Sequence, residues 1–185
     1  MRLLHILMAG VTIAFGVLLL GWHARRGTDE RILVETTRLA LQRLDAQIKL
    51  RAAVSGAGDA GASLADPTFS DITTAVNQRG WPTTIEAEWF GAAPPLNALV
   101  PAGCPWIEIA SGEDLSRNNP SLRVALDRHT AAFWYNPALG IVRARVGPTA
   151  TDKRAIEIYN ELNSTSVAAV VDAIPDGSAL GDALR

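Results

Sequence analysis

The sequence is poor in the residues from which most active sites are built. Its one cysteine, Cys104, excludes an intramolecular disulfide. Its three histidines, His5, His23 and His129, all lie far from Cys104 in the chain, so no zinc-ligand spacing can be drawn. There is no glycine-rich loop of phosphate-binding form. Cys104 and His129 are of types that can make a nucleophile and its base, but nothing in the sequence brings them together. Glu86 and Glu88 suit exposed positions of a strand better than a pair doing acid–base work. Glu113, Asp114, Asn118 and Asn119 gather oxygen ligands in one loop, without the spacing of a known cation loop. The sequence therefore predicts no catalytic residue, no cofactor, no metal site and no small-molecule substrate. A net charge of −2 argues against nucleic acid as a partner.

Long uncharged apolar runs are also absent, with one exception. Leu3 to Trp22 (LLHILMAGVTIAFGVLLLGW) is twenty residues with a single ionisable side chain, His5. As a helix it would span about 30 Å, the hydrocarbon thickness of a bilayer. Trp22 stands where signal-peptide cleavage would need a small residue. The stretch is thus expected to be an uncleaved single membrane span, touching lipid through residues 3–22. Arg2 precedes it and Arg25 and Arg26 come after it, a count that places the carboxyl-terminal side in the cytoplasm.

Beyond the apolar run the chain reads as a stem. Gly27 interrupts the helix, Thr28 offers an N-cap, and Asp29 and Glu30 suit the positive end of the next helix dipole. From there to Val54 the pattern is helical. Val34, Leu41 and Ile48 fall seven apart, with Thr37, Leu44 and Arg51 interleaved. This single stripe has two uses, packing onto the distal domain or self-association through Val34, Leu41, Leu44 and Ile48. Between His23 and Val54 there are seven Lys/Arg against four Asp/Glu, and from Ser55 onward nine against fifteen. A basic stem of this kind suits anionic lipid headgroups. Ser55 to Asp66 (SGAGDAGASLAD) is a small-residue linker.

The distal part alternates short runs. Phe69 to Gln78 predicts a short helix and Thr83 to Phe90 a strand with Ile85, Ala87 and Trp89 on one face. Trp106 to Ile109 predicts a second strand, and Leu122 to Arg128 a helical turn. Ala131 to Tyr135 and Ile141 to Val146 predict a hairpin, turned by Pro137 and Gly140. Trp89, Trp106 and Trp134 are expected to dominate the buried face of the sheet. Thr151 opens a last helix through Asn163, with Ala155, Ile158, Tyr159 and Leu162 at helical spacing. Val167 to Ile174 could be strand or helix. The predicted organisation is an anchor over 1–26, a stem over 27–54, a linker over 55–66 and a domain over 67–185. The fold class is α+β: an N-terminal transmembrane helix continuing into an amphipathic stem, then a small antiparallel sheet with a C-terminal helix.

An apolar N-terminal helix, a collinear amphipathic helix, a loop and a small sheet together resemble the layout of type IV pilins and type II secretion pseudopilins. The turn Trp134-Tyr135-Asn136-Pro137-Ala138-Leu139-Gly140 is similar to an aromatic-Tyr-Asn-x-x-x-Gly hairpin in some of those proteins. Gly10-Val11-Thr12-Ile13-Ala14-Phe15 is the nearest counterpart of their processing site, with Phe15 in place of its glutamate. The resemblance implies a periplasmic domain, against the charge count. It also implies a non-enzymatic envelope protein acting through protein–protein contacts in a pilus-like or secretion assembly. The alternative is a membrane-anchored accessory or assembly subunit of another complex, unrelated to pilins.

Overall fold

A computed structural model describes residues 29–55 and 75–172. Residues 29–55 form one unbroken helix, α1. Its 3.6-residue period turns Val34, Thr37, Leu44 and Ile48 onto one buried side. Leu44 and Ile48 are wholly enclosed, and burying a side chain of that size stabilises by about 1.5–3 kcal/mol.

Three strands come next, β1 (Ile107–Ile109), β2 (Phe133–Asn136) and β3 (Ile141–Ala144), in the spatial order β1-β2-β3. The β2–β3 hairpin is antiparallel, as the sequence predicts, and its register pairs Phe133 with Ala144 and Tyr135 with Val142. β1 is parallel to β2, with Ile107 beside Phe133 and Ile109 beside Tyr135. A parallel pair needs a crossover connection, and residues 110–132 supply it by passing over one face of the sheet. Two isolated bridges extend the sheet beyond β3: Val124 lies parallel to Val146, and Val171 antiparallel to Leu122.

Helix α2 (Asp152–Asn163) begins at Thr151, whose hydroxyl accepts from the Arg154 amide, and ends at Ser164 in the left-handed conformation. It buries Ala155, Ile158, Tyr159 and Leu162 in the core shared by α1 and one sheet face. The Asn163 side chain bonds both backbone groups of Ala144 at 2.8 and 2.9 Å, fixing the end of α2 to β3. Ion pairs Arg38–Glu161 and Arg154–Glu30 link the two helices at the surface, where such pairs contribute little.

Thr37 is polar yet fully buried in the apolar stripe of α1. Its hydroxyl donates to Asn97 Oδ1 at 3.2 Å and accepts from the Ala98 amide at 3.0 Å. Asn97 in turn donates to the carbonyls of Ala132 and Arg145. Helix, loop and sheet are thereby joined by satisfied hydrogen bonds, the condition under which polar groups survive burial.

The predicted fold class is corrected in two respects. Among the described residues no helix is long and apolar enough to cross a membrane. The physical reason in α1 is a charge at short intervals, at Arg31, Glu35, Arg38, Arg43, Asp45, Lys49 and Arg51. The expected transmembrane helix and single-pass membrane placement are overturned by that finding; Leu3 to Trp22, on which they rested, lies outside the described residues. The sheet, second, is mixed and not antiparallel.

Local expectations change too. The predicted strand over Thr83–Phe90 is replaced by a 3-10 turn, Ala87–Phe90, in which Trp89 and Phe90 turn toward α1. Leu122–Arg128 is extended at Leu122 and Val124, because the crossover returns along β3. Of Phe69–Gln78 only 75–78 is described, and Val76 there forms a bridge with Pro82 where a helix was expected. The linker over 56–66 lies outside the described residues.

Candidate functional site

The hairpin motif that carries the family resemblance is built into the scaffold residue by residue. The Tyr135 hydroxyl donates to the Pro82 carbonyl at 2.9 Å. Burial pushes its phenol above the ordinary range, so it stays protonated. Asn136 is fully buried, and its amide nitrogen reaches the carbonyls of Asp114, Leu115 and Arg117 at 2.9–3.1 Å. The carbonyls of Pro137 and Ala138 accept from Asn77 and Arg79. Gly140 has φ +65°, and a Cβ there would overlap the Trp81 indole. The motif is a joint: it ties residues 77–82 to the hairpin end and residues 114–117 to the sheet.

The same joint takes in the oxygen-rich loop. The carbonyls of Asp114, Leu115 and Arg117 converge on the Asn136 amide nitrogen. Asp114 is engaged by Arg117 at 2.9 Å, and Asn119 accepts from the buried Tyr159 hydroxyl at 3.0 Å. Among the described residues no group of three or more His, Cys, Asp or Glu could hold a metal ion.

Cys104 and His129 meet the same residue without meeting each other in a hydrogen bond. The Cys104 thiol donates to the Asp127 carbonyl at 3.3 Å, while the His129 amide donates to the Asp127 carboxylate at 2.9 Å. The Thr130 hydroxyl, and after it the His129 amide, holds that carboxylate below its usual range. This is a turn closed by an aspartate; the thiol proton faces a carbonyl and not a base. Glu86 accepts from the Trp89 indole at 3.2 Å, and Glu88 is exposed within the 3-10 turn, so the two do not form an acid–base pair.

Arg143 and Arg145, two residues apart in the chain, have different surroundings. Arg145 is buried, donates to the carbonyls of Leu122 and Ala131, and pairs with Glu108 at 2.6 Å. Arg143 is only half-buried and donates from Nε to the Asn118 carbonyl at 3.1 Å. Trp134 is fully buried, but on this polar face and not in the core cluster; Trp89 and Trp106 are half-buried against the core.

The proposed self-association stripe lies against its own domain: Val34, Leu44 and Ile48 are in the core, and Leu41 packs on it. The opposite side of α1 carries a second apolar set. Ile32, Leu39 and Leu50 are 58%, 59% and 55% exposed, and Val54 is 41% exposed. At 100° per residue these four lie within about 60° of one another on the helix. Arg43 interrupts them in sequence but leans away, donating to the Phe90 carbonyl at 2.8 Å with its guanidinium 5.8 Å from the Phe90 ring centre. The sequence pattern hides this stripe because Thr36 and Arg43 break its heptad repeat, although Ile32, Leu39 and Leu50 are there to be read.

Compared with protein-family models, curated proteins and solved structures, the chain matches none.

Proposed function

We propose that this chain is a non-enzymatic subunit of a pilus-like or type II secretion-like assembly and acts through protein–protein contacts. One observation carries the reading: α1 has two apolar stripes, and the described residues of its own domain cover only one. A two-faced helix is solvated at a cost unless its second face meets a partner. The same helix of another copy presents a matching stripe, which makes a self-contact between stems the economical arrangement. The hairpin motif serves this chain as a structural joint, and the chemistry around Cys104 and His129 offers no nucleophile–base pair.

Sedimentation velocity on the full chain tests this. Wild type should show concentration-dependent association, and the double variant L39D/L50D should be monomeric with an unchanged melting temperature. A wild type that stays monomeric, or a double variant that associates equally well, overturns the reading.

A further inference from the structure

The geometry points to a carboxylate-binding cavity at Arg143, suited to an acid on a short aliphatic stem. The cavity, about 280 Å³, lies where the middle of α1, β3 and the end of α2 meet. Its apolar walls are Leu41, Val142 and Leu162, and its polar ones include Arg143, Gln42 and Ser164. The volume is just under the range of about 300–1,000 Å³ typical of small-molecule pockets, so it admits one acidic side chain or a small free acid.

Arg143 is the feature that asks for an anion. Around it Arg117, Arg123 and Arg145 each hold a carboxylate. Arg143 makes no such pair among the described residues. Its Nε is spent on Asn118, and Nη1 reaches the carbonyls of Val142 and Asn163 only at 3.5 Å. Nη2 donates to no described group. A partly desolvated guanidinium without a counter-ion is costly, and the cost shows as a lowered pKa, caused first by burial and opposed by Tyr159 and Asp45. A guanidinium with no ion pair of its own, set in a cleft, marks a binding position.

The neighbours narrow the ligand. Arg38 also lines the cavity, but Glu35 and Glu161 already hold it. Asp45 lines it too and pairs with Lys49. Of the two cations lining the cavity only Arg143 has no ion pair among the described residues, and the Asp45 carboxylate lines it too, so a singly charged group is favoured over phosphate or sulfate. The planar guanidinium matches a carboxylate, and Leu41, Val142 and Leu162 match methylenes. The acid can belong to a free molecule or to a side chain of a neighbouring copy. This inference does not depend on the stem contact proposed above.

Valerate is the probe, with chloride at equal ionic strength as the control. If the site takes a free acid, valerate should raise the melting temperature of the full chain saturably. R143Q should lose the effect, and so should Q42W, which closes the mouth at the exposed Gln42 and leaves the guanidinium in place. If the acid comes from a neighbouring copy, valerate should dissociate a wild-type assembly, and R143Q should associate at least tenfold more weakly. Should R143Q fail to fold, Q42W carries the test alone. A wild type that responds to valerate no more than to chloride, with association unchanged in both variants, overturns the site.

Discussion

The two faces of the sheet are made by alternate residues of the same strands and are held by different forces. On one face Phe133, Tyr135, Val142 and Ala144 meet α1 and α2, and burial is apolar. On the other, Glu108, Trp134, Asn136, Arg143 and Arg145 meet the crossover, and contacts are specific hydrogen bonds and ion pairs. The first face is stabilised in proportion to area and tolerates shape-conserving changes. The second depends on each donor finding its acceptor, and one missing partner costs more than a bond is worth. Substitutions chosen one per face can break this distinction or sharpen it.

The largest effect is expected on the apolar face. Leu44→Ala removes a wholly enclosed side chain at the centre of the α1 contact and should cost about 2–5 kcal/mol. Urea titration would measure it, as a lowered midpoint with an unchanged slope. A cost below about 1 kcal/mol would mean that α1 does not pack on the sheet as described.

On the polar face Asn136→Leu keeps the bulk and removes the amide. Three carbonyls lose their donor, and the Ala138 amide loses the acceptor it has at 2.9 Å. The expected cost is about 2–3 kcal/mol. Its signature distinguishes it from Leu44→Ala: amide exchange should rise first over residues 111–120, because the crossover loosens before the core does. Uniform acceleration would contradict the separation of the two faces.

The sequence exposed these two faces unequally. The hairpin, the α2 boundaries and the buried positions of α2 were legible, because turn chemistry, a Thr cap and a 3.6 period are local signals. The parallel pairing of β1 was not, since strand order depends on a 23-residue connection over the sheet whose anchors, Asn136 and Arg143, look like surface residues in an alternating pattern. Thr83–Phe90 alternates as a strand would, yet Phe90 and Trp89 are claimed by Arg43 and Arg51 of α1. At the candidate sites, residue types were legible and pairings were not. Nothing in the sequence around Arg143 and Arg145 distinguishes them, and only packing gives Arg145 a carboxylate and leaves Arg143 at a cavity.

The smallest expected effect is also the sharpest, because it sets adjacent residues against each other. Tyr135 and Trp134 are both fully buried, one on each face. Tyr135→Phe deletes a single oxygen but leaves the Pro82 carbonyl without its donor, so about 1 kcal/mol should be lost. Trp134→Phe deletes far more, yet the indole Nε1 has no hydrogen-bond partner among the described residues. Removing an unpaired buried donor relieves about 1–3 kcal/mol, which offsets the cavity left by the smaller ring. The larger deletion should therefore cost no more than the smaller one, and paired urea titrations would decide it. If Trp134→Phe proves much the costlier, its indole nitrogen is satisfied by a buried water, and the polar face is more completely bonded than its protein atoms alone make it.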